Sequence, residues 1–290
     1  MTPYKPPPTT TQQKAVGGIV AALLVVAGFI GHAILQSAPP NCSVKAGASA
    51  ATIQTAVNAC TTVTLGAGTY ALTAHVVVNH AETISGAGST LTHLIQHARV
   101  NIFQITAPGV TIENMDVNTA QFNPGVPPIQ KDPVPGTIFS AQSHTSIINL
   151  SSEAGTGFGF RLTGPNPCQN HQTSGDLIQN VTSTNTGTAG FTAMDFDCMS
   201  SGTITNVTIH GDYIALYQSS GVTLNGLVYT QGPYESGKCG TDVFVTGPAN
   251  GDVIENVVSH NGGVKATTTR FGSVTNLKVI NETKACTNGL

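Results

Sequence analysis

Beyond residue 40, apolar and polar positions alternate in short runs, and the runs recur in one phrase. A short strand is followed by a Gly turn, a second strand, an Asn and a third strand. One copy reads Asn101-Ile-Phe-Gln-Ile-Thr106, then Gly109-Val-Thr-Ile-Glu-Asn114-Met-Asp-Val117. A later copy reads Gly190-Phe-Thr-Ala-Met-Asp-Phe-Asp197, then Gly202-Thr-Ile-Thr-Asn206-Val-Thr-Ile209. The next is Asp212-Tyr-Ile-Ala-Leu-Tyr-Gln218, then Gly221-Val-Thr-Leu-Asn225-Gly-Leu-Val228, and further copies end in Asn180, Asn256 and Asn276. From Asn180 onward the Asn-to-Asn steps are 26, 19, 31 and 20 residues, so turn length varies while the strand pattern holds. Alternation with period two is the mark of strands with one buried face. Three such short strands cannot bury that face alone, whereas stacking the units buries one continuous core, as in a solenoid. Asn between the second and third strands tolerates the left-handed backbone of a sharp bend, and its amide reaches the Asn of the next coil.

Ahead of the repeats, residues 51–60 carry apolar residues at helical spacing, which predicts a short helix covering the open N-terminal end. Two glycine phrases follow, Val63-Thr-Leu-Gly-Ala-Gly-Thr-Tyr70 and Thr83-Ile-Ser-Gly-Ala-Gly88. A short helix followed by these phrases resembles the N-terminal cap and first coils of the pectate lyase-like superfamily, and the resemblance spans roughly residues 50–280. It implies an all-β, single-stranded right-handed parallel β-helix over residues 50–290. For activity it implies only a range, since the superfamily holds lyases, hydrolases, epimerases and noncatalytic surface proteins.

The first 49 residues differ in character. Residues 1–14 form a polar tail with Lys5 and Lys14 as its only charges, and residues 15–35 form a span of 21 residues without a charge. That length suits one transmembrane helix. The lysines before it place the N-terminus in the cytoplasm and the β-helix outside it, joined by a linker at 36–49. A cleaved signal peptide is the competing reading, which two prolines after Ala38 disfavour; both readings export the domain. Six cysteines (Cys42, Cys60, Cys168, Cys198, Cys239, Cys286) lie beyond the apolar span with no CxxC pair, which favours disulfides over a zinc or thioredoxin-like site. Cys42 and Cys60 are placed to staple the lid to the linker. Asn41, Asn149, Asn180, Asn206 and Asn281 begin Asn-x-Ser/Thr triplets, which matter only in a host that glycosylates exported proteins.

Composition narrows the function classes. Charged residues are 9% of the 290 and net charge is −3, against about 25% charged in an average domain. With no basic run, nucleic acid is excluded as a partner. Taking Phe103/Ile105, Phe160/Leu162, Met194/Phe196, Ile214/Leu216, Val243/Val245 and Val264/Ala266 as inward pairs sends their neighbours to an outer strip. That strip carries Gln104, Arg161, Asp195, Asp197, Tyr213, Tyr217, Asp242 and Lys265. Asp195 and Asp197, two residues apart on one strand, suit the acid–base pair of an inverting glycosidase, and Asp242 is a third candidate catalytic carboxylate. Alternatively, Asp195 and Asp197 hold Ca²⁺ that neutralises a uronate carboxyl while Arg161 or Lys265 assists proton removal, as in a lyase. Tyr213 and Tyr217 offer faces for sugar rings, with Arg161 and Lys265 as further substrate contacts. The bland alternative is a surface ion pair of Arg161 with Asp195.

The catalytic signatures of the resembled enzymes are missing. The adjacent Asp-Asp, Gly-His-Gly and Arg-x-Lys elements of polygalacturonases are absent, as is the Asp-Pro-His-Glu phrase of alginate epimerases. His210-Gly211-Asp212 is a turn, and His75, His80, His93 and His97 show no metal-ligand spacing. The leading expectation is a membrane-anchored extracytoplasmic β-helix that binds or cleaves polysaccharide. Its rival is a noncatalytic structural or adhesive surface protein, and a tailspike-like viral protein is a third class.

Overall fold

The computed structural model describes residues 40–120, 136–154, 159–163, 173–185, 193–211, 213–230, 241–260, 262–268 and 272–284. The polar tail 1–14 and the apolar span 15–35 lie outside the described residues. Among those described, no helix is long and apolar enough to cross a membrane.

The unit from Asn41 onward is a stack of coils, and among the described residues every strand pairing in it is parallel. The first strand of each phrase enters one sheet, which runs from Val76–Val78 to Val264–Thr267. The second and third strands enter the other, larger sheet. In the early coils they are separate elements, Thr62–Leu65 with Gly68–Leu72 and Thr83–Ser85 with Thr92–Gln96. From Thr111–Asn118 onward they fuse into one bent strand per coil. This is a parallel β-helix, and right-handed coiling is the sense that strand twist imposes on such crossovers.

The inward pairs are buried as the alternation demands: Phe103, Ile105, Phe160, Leu162, Met194, Phe196, Ile214, Leu216, Val243 and Val245 have no exposed surface. Each such side chain stabilises the fold by about 1.5–3 kcal/mol relative to exposure. Val264 and Ala266, the pair on the last described strand of this sheet, are only half-buried and exposed, because among the described residues no further strand pairs beyond theirs.

The bends form a ladder of amides. Asn114, Asn149, Asn180, Asn206, Asn256 and Asn281 all have φ between 52° and 58°. The Nδ2 of Asn149 donates to Oδ1 of Asn114 at 3.0 Å, Asn180 to Asn149 at 2.9 Å, and Asn206 to Asn180 at 3.1 Å. Two positions differ from the sequence expectation. Gly226, not Asn225, takes the left-handed position of its coil (φ 79°), while Asn225 sits one residue earlier and accepts from Asn256 at 2.9 Å. Asn276 lies in the turn before the last strand, donating to Asn250 Oδ1 at 2.9 Å, and Asn281 is the bend residue there. Asn and Gly both tolerate left-handed backbone, so a sequence with both nearby leaves the register ambiguous.

The lid is helix α1, Ala50–Ala59, whose N-cap Ser49 accepts the Thr52 N–H at 3.3 Å. Its Ile53 and Val57 are fully buried on the first coil. A disulfide joins Cys42 to Cys60, stapling the lid to the strand before it. Gln54 on α1 also clamps the sheet edge. Its Oε1 accepts the Val77 N–H at 2.7 Å, and its Nε2 donates to the Val77 C=O at 2.8 Å. One side-chain amide therefore satisfies the middle of the terminal strand Val76–Val78, an edge that would otherwise invite another strand.

Candidate functional site

Pleat and register build the outer strip of the first sheet. On Met194–Asp197, Met194 and Phe196 point inward, so Asp195 and Asp197 share the outer face. Parallel pairing sets Arg161 beside Asp195 and Asp195 beside Ala215, then Phe244 and Lys265 along the same column. The adjacent column runs Thr163, Asp197, Tyr217, Thr246 and Thr267. Phe139 lies one coil before Arg161.

Two carboxylates converge on one guanidinium. Arg161 Nε is 3.1 Å from Asp195 Oδ2, and its Nη2 donates to Asp197 Oδ2 at 3.4 Å. Thr163 Oγ1 also donates to Asp197 Oδ2 at 3.4 Å. The side chains differ in exposure: 5% for Asp195, 23% for Asp197 and 32% for Arg161. Burial, with repulsion from Asp197, pushes the Asp195 carboxyl up to about 7 against the pull of Arg161. Burial also raises Asp197, which Arg161 and Thr163 hold back. Asp195 thus holds its proton further towards neutrality than a free carboxyl, while Arg161 balances negative charge on the pair.

Aromatic rings adjoin the pair. Tyr213 and Tyr217 each meet Phe244 edge-on, with ring centroids 6.2 and 6.3 Å apart. Burial pushes the Tyr217 hydroxyl up to about 12, with Tyr213, Asp195 and Asp197 adding to the effect, so it remains a hydrogen-bond donor.

The structure therefore brings Arg161, Asp195, Asp197, Tyr213 and Tyr217 together. Lys265 lies on the same face three coils from Asp195, roughly 14 Å along the stack. Asp242 does not join the open face: it is fully buried and accepts the Gly263 N–H at 3.2 Å. Phe139 and Phe244 are the strip residues that attention to polar chemistry passes over, although the alternation that placed Lys265 places them too. His210 is not in a turn but ends the strand Thr203–His210, and Gly211 follows it at φ 81°.

The donor set does not fit Ca²⁺, which takes about 6–8 oxygen ligands. Asp195 and Asp197 already share a cationic partner in Arg161. Among the described residues, no group of three or more His, Cys, Asp or Glu gathers anywhere.

No protein-family model matches the sequence, and no curated protein matches it. Solved structures with a similar course of chain include a rice weevil pectin methyl esterase, 12% identical, with a TM-score of 0.49 over 89% of this chain and 93% of that one. Escherichia coli YbhC is 9% identical, with a TM-score of 0.49 over 98% of this chain and 87% of the other. An alginate lyase from Paenibacillus is 13% identical, with a TM-score of 0.40 over 82% and 99%.

Proposed function

We propose that this β-helix binds a polysaccharide along the outer strip of its first sheet and hydrolyses it by acid–base catalysis at Asp195 and Asp197. The observation that carries this reading is the Asp195 carboxyl, held up to about 7 beside a second carboxylate, an arginine and three aromatic rings. Two carboxyl groups of unequal proton affinity are what glycosidic hydrolysis uses. Asp195, the better-buried group, donates its proton to the leaving glycosidic oxygen. Asp197, more exposed and held by Arg161 and Thr163, deprotonates the attacking water. Phe139 on one side of the pair and Tyr213, Tyr217 and Phe244 on the other offer apolar faces to sugar rings. The apolar span 15–35 anchors the chain in a membrane, and the domain acts on glycans outside the cytoplasm.

The sign of the pH dependence follows from the roles. Asp195 must be protonated, so activity falls as pH rises through about 7. Asp197 must be ionised, so activity also falls on the acid side.

The test is reducing-end release on a panel of neutral and uronate glycans by the protein and by Asp195→Asn and Asp197→Asn. Loss of a general acid or base costs about 10²–10⁴-fold. Unchanged activity in the double variant, or none from the wild-type protein on any glycan, sinks the proposal. In that event Arg161, Asp195 and Asp197 are a structural ion network on a noncatalytic surface protein.

A further inference from the structure

Asp195 presents a contradiction of geometry. Its side chain leaves the outer face of the strand, yet it is 5% exposed, while Asp197 on the same face of the same strand is 23% exposed. Ala215, the outward residue of the next coil, has no exposed surface at all. A methyl group on an outer face is covered only by larger neighbours. The neighbours are in place: Tyr213, just ahead of the strand Ile214–Tyr217, and Tyr217, at its end, flank Ala215 two residues to either side, and Phe244 lies beside it in the following coil. The edge contacts of both tyrosines with Phe244 make the three rings one braced plate across Ala215. Tyr217 is aligned directly beside Asp197, so the plate borders the carboxylate pair.

We propose that Tyr217 is a positioning residue for Asp195: its ring, braced on Tyr213 and Phe244 across Ala215, seals the carboxyl from water until a glycan displaces it.

The groups facing Asp195 among the described residues are few. Arg161 and Thr163 come from the preceding coil, Asp197 from its own strand, and Tyr213 and Tyr217 from the next coil. Arg161 favours the charged carboxylate and Asp197 opposes it, so the two act against each other. What remains is exclusion of water, the largest cause of the high proton affinity of Asp195. Ala215 matters as a small residue, because a larger side chain there would lift the plate off the carboxyl.

The displacement by glycan rests on the function proposed above, whereas the seal itself does not. The test therefore reads the seal without substrate. Carbon-13 NMR titration of the Asp195 carboxyl is recorded in the protein and in Tyr217→Phe, Tyr217→Ala and Phe244→Ala. Tyr217→Phe keeps the ring and leaves the midpoint near that of the wild type. Tyr217→Ala admits water and lowers the midpoint by one pH unit or more, towards the ordinary value of 3.8. Phe244→Ala removes the brace and gives a smaller shift in the same direction. The Glu82 carboxyl, buried just ahead of the early strand Thr83–Ser85 and far along the stack from the plate, reports that each variant is folded by titrating unchanged. A Tyr217→Ala midpoint equal to wild type in a folded protein overturns the proposal, as does a Tyr217→Phe shift as large as that of alanine. On any glycan that is cleaved, the alkaline limb of the pH–rate profile moves with the NMR midpoint in Tyr217→Ala. A shifted titration in a protein that cleaves nothing upholds the seal and removes the hydrolase.

Discussion

Glu82 gives the sharpest quantitative test of how the interior is arranged. It is 4% exposed, and neither carboxyl oxygen has a hydrogen-bond partner among the described residues. Two acids in corresponding turns show what the position wants. Asp176 accepts the Thr145 N–H at 2.8 Å, and Asp252 accepts the Val222 N–H at 2.9 Å. In each case the donor lies in the preceding coil. Glu82 is placed alike, next to Thr61, but its extra methylene carries the carboxyl past the backbone, and Thr61 Oγ1 is also buried without a partner among the described residues. Burial consequently pushes Glu82 from 4.5 to about 7, which nearby His80 partly offsets. At roughly 1.4 kcal/mol per pH unit, that rise amounts to about 3 kcal/mol of stability. Because the folded protein holds this proton more tightly than the unfolded chain, the contribution is complete below pH 4.5 and is lost as pH rises through about 7. Glu82→Gln keeps the shape and cannot ionise. Urea unfolding followed by circular dichroism at pH 5 and pH 8.5 should show the glutamine variant gaining up to about 3 kcal/mol on wild type between the two values. Comparing the two proteins cancels Asp176, Asp195 and Asp252, which titrate in the same sense. Parallel stability profiles for the two would refute the reasoning.

Asn180→Gly keeps the left-handed backbone and loses only the ladder amides, whereas Asn180→Ala also incurs about 1–2 kcal/mol of backbone strain; thermal unfolding should rank alanine below glycine, and equal losses would mean that strain is unimportant. Gln54→Ala leaves the N–H and C=O of Val77 unpaired at a partly buried edge, at a cost of about 1–3 kcal/mol. The same variant should self-associate on light scattering, because the edge strand is bare; a monodisperse and undiminished variant would show that the amide clamp is incidental.

The fold is legible in the sequence because its determinants are local and repeated. Alternation of Phe160 with Leu162 or Ile214 with Leu216 needs no knowledge of distant contacts, and one register slip would turn every such residue outward. The bends are legible in kind but not in register. Asn225-Gly226 offers two residues able to take a left-handed conformation, and only the pairing of Leu227 with Val257 shows which does so. Asn149 and Asn281 carry the same phrase as the others, yet stand out first as Asn-x-Ser/Thr triplets. Of the site, Arg161, Asp195 and Asp197 follow from alternation plus coil stacking. Asp242 misleads because it precedes its strand, where alternation no longer dictates direction, and its carboxylate turns to the Gly263 backbone. The burial of Asp195 is not legible, since it depends on rings from the next two coils, about 20 and about 50 residues further on, meeting over one alanine.

The lid on the first coil bears on how the molecule comes into being. One end is closed by α1, whereas the last described strand, Lys278–Lys284, leaves Val279 and Ile280 about two-fifths exposed. Each coil touches mainly its two neighbours in the stack, so a coil added after the lid finds its template in the one before it, and assembly resembles growth at one face of a crystal. A chain emerging N-terminus first delivers its sealed seed before any building block, and every later coil arrives at a finished template. The same polarity allows a lineage to lengthen the stack: a duplicated coil inserted midway meets matching surfaces above and below and leaves the seed untouched.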